Sequence, residues 1–125
     1  MAARATSDAE FIRTLGYYVA GFPKGQATMH PQPSPLPFGS SGFRPELVDD
    51  NHVPRHFTAY VVLAFQRSKW TANRAAFARE QAPFCTTGCS RSDIHLGDLG
   101  ADLGDRLKKK EIERTEVGQW IRDNL

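Results

Sequence analysis

The stretch Pro54-Arg55-His56-Phe57-Thr58-Ala59-Tyr60-Val61-Val62-Leu63-Ala64-Phe65 decides the fold, because it can be read in two ways. Its β-branched and aromatic residues would suit a buried strand, yet no other segment offers a partner strand. As a helix, Phe57, Tyr60, Val61, Ala64 and Phe65 fall on one face. Pro54 takes the favoured place in the first turn, and Asp50 or Asn51 stands nearby as a cap. The helical reading therefore leads, and the rest of the chain is judged for compatibility with it.

On the N-terminal side, Ser7-Asp8-Ala9-Glu10 has the spacing of a capping box. Phe11, Ile12, Leu15, Tyr18 and Val19 then repeat at helical intervals up to Gly21 and Pro23, which predicts a first helix over 8–20. Between the two helices, 22–50 reads as a long Pro/Gly-rich loop. Six of the eight prolines (Pro23, Pro31, Pro33, Pro35, Pro37 and Pro45) lie there. Pro31 to Pro37 favours an extended polyproline conformation, and Gly39 to Gly42 favours a turn or hinge.

On the C-terminal side, Thr71 to Ala82 continues or restarts the central helix, with Trp70, Ala75 and Phe77 as its main apolar contributors and Pro83 as its stop. Phe84 to Ser92 reads as a loop, and Ser92 or Asp93 is the expected cap of the next helix. There Leu96, Leu99, Leu103 and Leu107 form a narrow seam. Gly97, Gly100 and Gly104 interrupt it at about 1 kcal/mol each in helix propensity, so another backbone should pack closely against that face. Thr115 is the expected cap of a last short helix carrying Val117, Trp120, Ile121 and Leu125.

The expectation is an all-α fold, a small bundle of four to five helices with the long loop between the first and second. It is a single helical domain over 1–125, the main helical portion running over 54–125. The core is assigned to Phe11, Leu15, Phe57, Tyr60, Val61, Phe65, Leu99, Leu103, Trp120 and Ile121. The length of 125 residues and the 40% hydrophobic content suit one such domain. The longest apolar run, Ala59 to Phe65, is far below the roughly 20 residues of a membrane span. With no secretory pattern at the start, a cytoplasmic location is expected and no membrane association.

Net charge is only +2, but residues 51–92 carry six basic side chains against Glu80 alone. This asymmetry would draw one part of the domain toward another before it would draw an external acidic partner. Arg67, Lys69, Trp70, Arg74 and Arg79 could serve single-stranded nucleic acid, yet no nucleic-acid-binding pattern accompanies them, so weak binding through residues 55–91 is a minor alternative.

His52 and His56 stand four apart and, with Cys85 and Cys89, would make a Cys₂His₂ metal set. The order is unfamiliar, with 28 residues separating His56 from Cys85, so no metal and no cofactor are expected and free thiols lead. Asp49 and Asp50 near His56 could orient a general base in a hydrolase or effector-type enzyme, assisted by a metal through His52, with Arg55 as an anion contact at the helix start. Helix capping by the same acids is the simpler account. Asp98, Asp102 and Asp105 read as a solvated face, and Lys108 to Lys110 as complement to a helix C-terminus.

The function expected is thus a non-enzymatic helical module that binds a protein partner. Its expected contacts are Pro33, Pro35, Leu36 and Phe38 of the proline-rich loop, since extended proline segments lose little entropy on docking. The leucine seam is compatible with a monomer or a homodimer.

Overall fold

The computed structural model describes residues 7–28, 31–32, 53–79 and 91–125. The fold is all-α: among the described residues there are five α-helices and no strand. They are α1 (Asp8–Leu15), α2 (Val53–Gln66), α3 (Lys69–Arg79), α4 (Arg91–Lys108) and α5 (Val117–Asn124). The expected caps Asp50 and Asn51 and the expected stop Pro83 lie outside the described residues.

The stretch that could have been a strand is a helix buried on several sides. Phe57, Tyr60, Val61, Val62 and Ala64 are all buried, which explains why its apolar run is nearly continuous. Most of that burial comes from α4, whose glycines let the two backbones meet. A Cβ at Gly100 would stand 2.6 Å from the Phe57 carbonyl oxygen, and one at Gly104 would overlap the Val61 carbonyl oxygen and reach within 2.9 Å of the Ala64 Cβ. Gly97 performs the same service for α3, where an added Cβ would lie 2.7 Å from that of Ala76. Behind the leucine seam, Leu96, Leu103 and Leu107 join Phe11, Ile12, Phe57, Val61 and Val62 in one core. A second cluster, with Ala64, Ala72 and Ala101 buried and Leu63 packed against them, joins α2, α3 and α4.

Of the ten residues assigned to the core, Phe11, Phe57, Tyr60, Val61 and Leu103 are buried. Leu15, Phe65, Leu99, Trp120 and Ile121 pack against the core with part of their surface exposed. The Phe57 and Trp120 rings stack with centroids 6.2 Å apart, fastening α5 to α2. Phe22, expected in the loop, is buried, and Leu125 is as well.

Several local expectations need correction. After α1, the chain continues as a π-turn over Gly16–Ala20, closed by Gly21 at a φ of 77°. The wider turn slips the helical register, so Val19 and Ala20 point inward and Tyr18 is left 41% exposed beside Tyr17. Pro23–Gly25, expected to be irregular, is a 3₁₀ turn. Gly16 and Gly25 allow close contact there, an added Cβ at Gly16 falling 2.9 Å from the Gly25 carbonyl oxygen.

α3 restarts after α2: Ser68 Oγ accepts from the Thr71 N–H at 3.0 Å and so caps the new helix. α4 begins at Arg91, which places the expected caps Ser92 and Asp93 inside its first turn. The chain enters α5 through a 3₁₀ turn, Arg114–Glu116, capped reciprocally by Glu113 and Glu116, so Thr115 lies within the turn instead of capping it.

Polar ties fix the outer elements. The Gln66 amide donates to the Gly25 carbonyl at 2.8 Å and accepts from the Ala27 N–H at 2.9 Å. Lys108 Nζ donates to the Arg67 carbonyl at 2.8 Å, so this lysine neutralises the end of α2 as well as lying at the end of α4. Ser7 Oγ accepts from the Glu10 N–H and starts α1. Asp8, only 10% exposed at its side chain, receives Lys110 Nζ at 2.7 Å and Arg114 Nη1 at 2.8 Å. Lys110 makes this contact from a left-handed conformation with a φ of 63°.

The glycine contacts predict that Gly104→Ala destabilises the fold by about 1–3 kcal/mol in urea titration, despite alanine's higher helix propensity. Gly118→Ala, whose Cβ would meet only Arg122 Nη1 at 3.7 Å, should be neutral or stabilising by up to about 1 kcal/mol. Equal effects at the two positions would contradict the backbone contact.

A pH dependence follows from Asp8. The hydrogen bond from Lys110, aided by Arg114 and opposed by burial, holds its carboxyl below the ordinary 3.8. A folded value below the unfolded one gives stabilisation that is complete above the unfolded pKa and lost as pH falls through the folded one. Asp8→Asn should therefore cost about 1–2 kcal/mol at neutral pH, a figure reduced for the exposure of Lys110. The difference from the parent protein should close as the pH drops below about 4.

Candidate functional site

The alanine contacts of α3 determine what it shows to solvent. Ala72 and Ala76 turn inward, so Trp70 and Arg74 are carried outward. Trp70 was expected to pack as a main apolar residue of this helix; it is instead 70% exposed. The cause is the close approach at Gly97 and Ala101, which accepts methyl groups and leaves no room for an indole. Arg74 lies over the Trp70 ring, its Cζ 5.3 Å from the centroid.

α3 and α4 border an open groove of about 610 Å³ lined by Lys69, Asn73, Ile94, His95, Asp98, Leu99 and Asp102. Ile94 and Leu99 are half-buried apolar side chains, while His95 and Asp98 are exposed. Lys69 Nζ reaches across to Asp102 Oδ1 at 3.2 Å, and Arg106 Nε donates to the other carboxylate oxygen at 2.8 Å. Burial pushes the Asp102 pKa up, but the hydrogen bonds from Arg106 and Lys69 outweigh it and hold the carboxyl below its ordinary value. Lys69 and Asp102 thereby neutralise each other across the groove, as the internal reading of the charge asymmetry anticipated.

Two acceptors remain. Asp98 makes no ion pair with any described residue. Asn73 Oδ1 is shielded from solvent and has no hydrogen-bond partner. A buried orphan carbonyl costs about 1–3 kcal/mol, so this amide is a local weak point of the α3–α4 packing. The expected solvated face of Asp98, Asp102 and Asp105 is consequently divided. Asp98 is solvated, Asp102 bridges helices, and Asp105 pairs with Lys109 at 3.0 Å with only 17% of its side chain exposed.

Of the residues expected to carry chemistry, His56 sits half-buried on α2 and does not line the groove. Asp49, Asp50, His52, Cys85 and Cys89 lie outside the described residues, as do the expected partner contacts Pro33, Pro35, Leu36 and Phe38. Among the described residues, no three of His, Cys, Asp and Glu come together in a way that could hold a metal ion. Arg55, considered as an anion contact, directs Nη2 to the Gln32 carbonyl at 3.2 Å. No described helix is long and apolar enough to cross a membrane. Sequence reading missed Asn73 and Ile94 as parts of a site. Their only signal was helical spacing on two separate segments, which becomes a groove once α3 and α4 pack.

Compared with family models, curated proteins and solved structures, the chain matches none.

Trp70→Ala should change the unfolding free energy by no more than about 0.5 kcal/mol, as expected for an exposed side chain. Asn73→Leu should be neutral or stabilising by about 1 kcal/mol, because it removes the unpaired carbonyl. A large loss from either change would place that side chain in the packing instead of the site.

Proposed function

We propose that the chain is a helical protein-interaction module whose α3–α4 face makes the contact. The observation carrying this reading is Trp70: a side chain 70% exposed on α3, held against Arg74, on the helix that also lines an open groove through Lys69 and Asn73. Tryptophan and arginine dominate binding energy where they can be desolvated, because each covers a large area and loses little freedom when already oriented. Holding the pair on a helix anchored by alanines means that docking need not reorganise the fold.

The proline-rich segment belongs to the same reading. Its first described residues, Pro31 and Gln32, are exposed, and Gln32 is tethered on both sides. Its N–H donates to the Gly21 carbonyl at 2.8 Å, and its carbonyl accepts from Arg55. Pro33, Pro35, Leu36 and Phe38 follow from that fixed root and supply a second contact.

The test uses the full chain as bait in three forms: parent, Trp70→Ala, and Leu36→Ser with Phe38→Ser. A partner captured by the parent should be reduced at least about tenfold by Trp70→Ala, while the circular dichroism of the variant stays unchanged. Loss on the Leu36/Phe38 variant alone assigns the contact to the proline-rich segment. Capture equal with all three baits overturns the reading.

A further inference from the structure

We infer that the outward face of α3, with the corner joining it to α2, binds an acidic peptide segment of the partner protein that carries an apolar side chain beside its carboxylates. This rests on the interaction-module reading and names the chemistry of the partner. Charge complementarity selects the occupant. Residues 53–79 contain five Lys or Arg side chains and no Asp or Glu, and packing satisfies only part of that excess. Lys69 is taken by Asp102, which Arg106 shares, and Asp105 is held by Lys109. Arg67, Arg74 and Lys108 are exposed and make no ion pair with any described residue, the exposed Asp98 included. Lys108 is brought to the α2–α3 corner by its bond to the Arg67 carbonyl, so two of these three cations belong to that corner.

Arg74 and Trp70 supply the rest of the surface. A guanidinium over an indole spends its flat face on the ring and keeps its N–H edges free, in the fork that matches a carboxylate. The stacking also restrains the arginine before the partner arrives, which lowers the freedom lost on docking. The indole surface that Arg74 leaves uncovered suits an apolar neighbour of the carboxylate. A peptide with one or two acids fits this charge better than a polyphosphate chain. Single-strand binders combine a long basic track with several aromatics for base stacking. Here Trp70 is the exposed ring among the described residues of α3, Arg74 lies over it, and the neighbouring α4 carries Asp98 and Asp102. A membrane surface calls for an apolar stripe along the helix, whereas α3 turns Ala72 and Ala76 inward.

The experiment is an NMR titration of the ¹⁵N-labelled full chain with acetyl-Leu-Glu-Glu-Leu-amide and, separately, acetyl-Leu-Lys-Lys-Leu-amide, the indole signals being assigned with Trp70→Ala. The acidic peptide should shift the Trp70 Nε1–H and the backbone amides of residues 67–74, with a dissociation constant on the order of 1 mM. The Trp120 signal should stay in place, and raised salt should weaken binding. Arg67→Gln and Arg74→Gln, both at exposed positions, should each weaken the acidic peptide about threefold, and the double variant about tenfold. The proposal is overturned if the acidic peptide leaves these signals unmoved, if the lysine peptide binds as well or better, or if the double variant binds like the parent. It is also overturned if decathymidylate, or vesicles of phosphatidylserine and phosphatidylcholine, move the same signals at lower concentration than the peptide. Should the acidic peptide fail while Trp70-dependent capture persists, the acidic assignment falls and the interaction module stands; failure of both removes both.

Discussion

The contact between the backbones of α2 and α4 is the constraint on which the other elements depend. Gly100 and Gly104 give up about 1 kcal/mol each in helix propensity, and the return is direct packing of α4 against the Phe57 and Val61 carbonyls. With the two axes this close, Leu96, Leu103 and Leu107 can reach past α2 to the residues of α1 and α5. The same closeness dictates an alanine face on α3, since Ala72 and Ala76 must settle against Ala64, Ala101 and Gly97. Large side chains on α3 are then directed to the outside. Exposed Trp70 and the groove are consequences of a tight core.

Around this pair, polar ties hold pieces that could not stand alone. α1 and α5 contain eight residues each, below the length at which an isolated helix is stable in water. Asp8 joins the start of α1 to Lys110 and Arg114 in the connection between α4 and α5, making one knot of segments far apart in sequence. Gln66 fastens the 3₁₀ turn with both ends of its amide. These contacts sit at the margin of the core, where apolar packing thins and directional bonds define position.

The fold was largely legible in the sequence because its signals are local and mutually consistent. The ambiguous run of Ala59 to Phe65 is helical, as its context required, and the glycines at 97, 100 and 104 announced a close neighbour before that neighbour was known. What failed was finer. Tyr18 and Val19 looked alike on a helical wheel, and only the π-turn separates them. Thr115 looked like a cap because it is a threonine before an apolar helix, but the chain turns two residues earlier, at Glu113. Trp70 looked like core by its chemistry, whereas its orientation depends on the alanines of the same helix meeting another segment. The groove was least legible, since Asn73 and Asp98 come to line one space only when α3 and α4 pack.

The bond between Gln32 and Arg55 closes a ring in the chain: the polypeptide returns to the helical body beside the point at which it departed. The entropy of closing such a ring grows only logarithmically with its contour, by about 0.6 kcal/mol for each doubling. The body is therefore nearly indifferent to how much sequence the ring contains. The α2–α4 pair, by contrast, accepts no added methyl group at Gly100 or Gly104 without a backbone shift, so chain length is lightly constrained on one side of the Gln32–Arg55 bond and side-chain volume tightly constrained on the other.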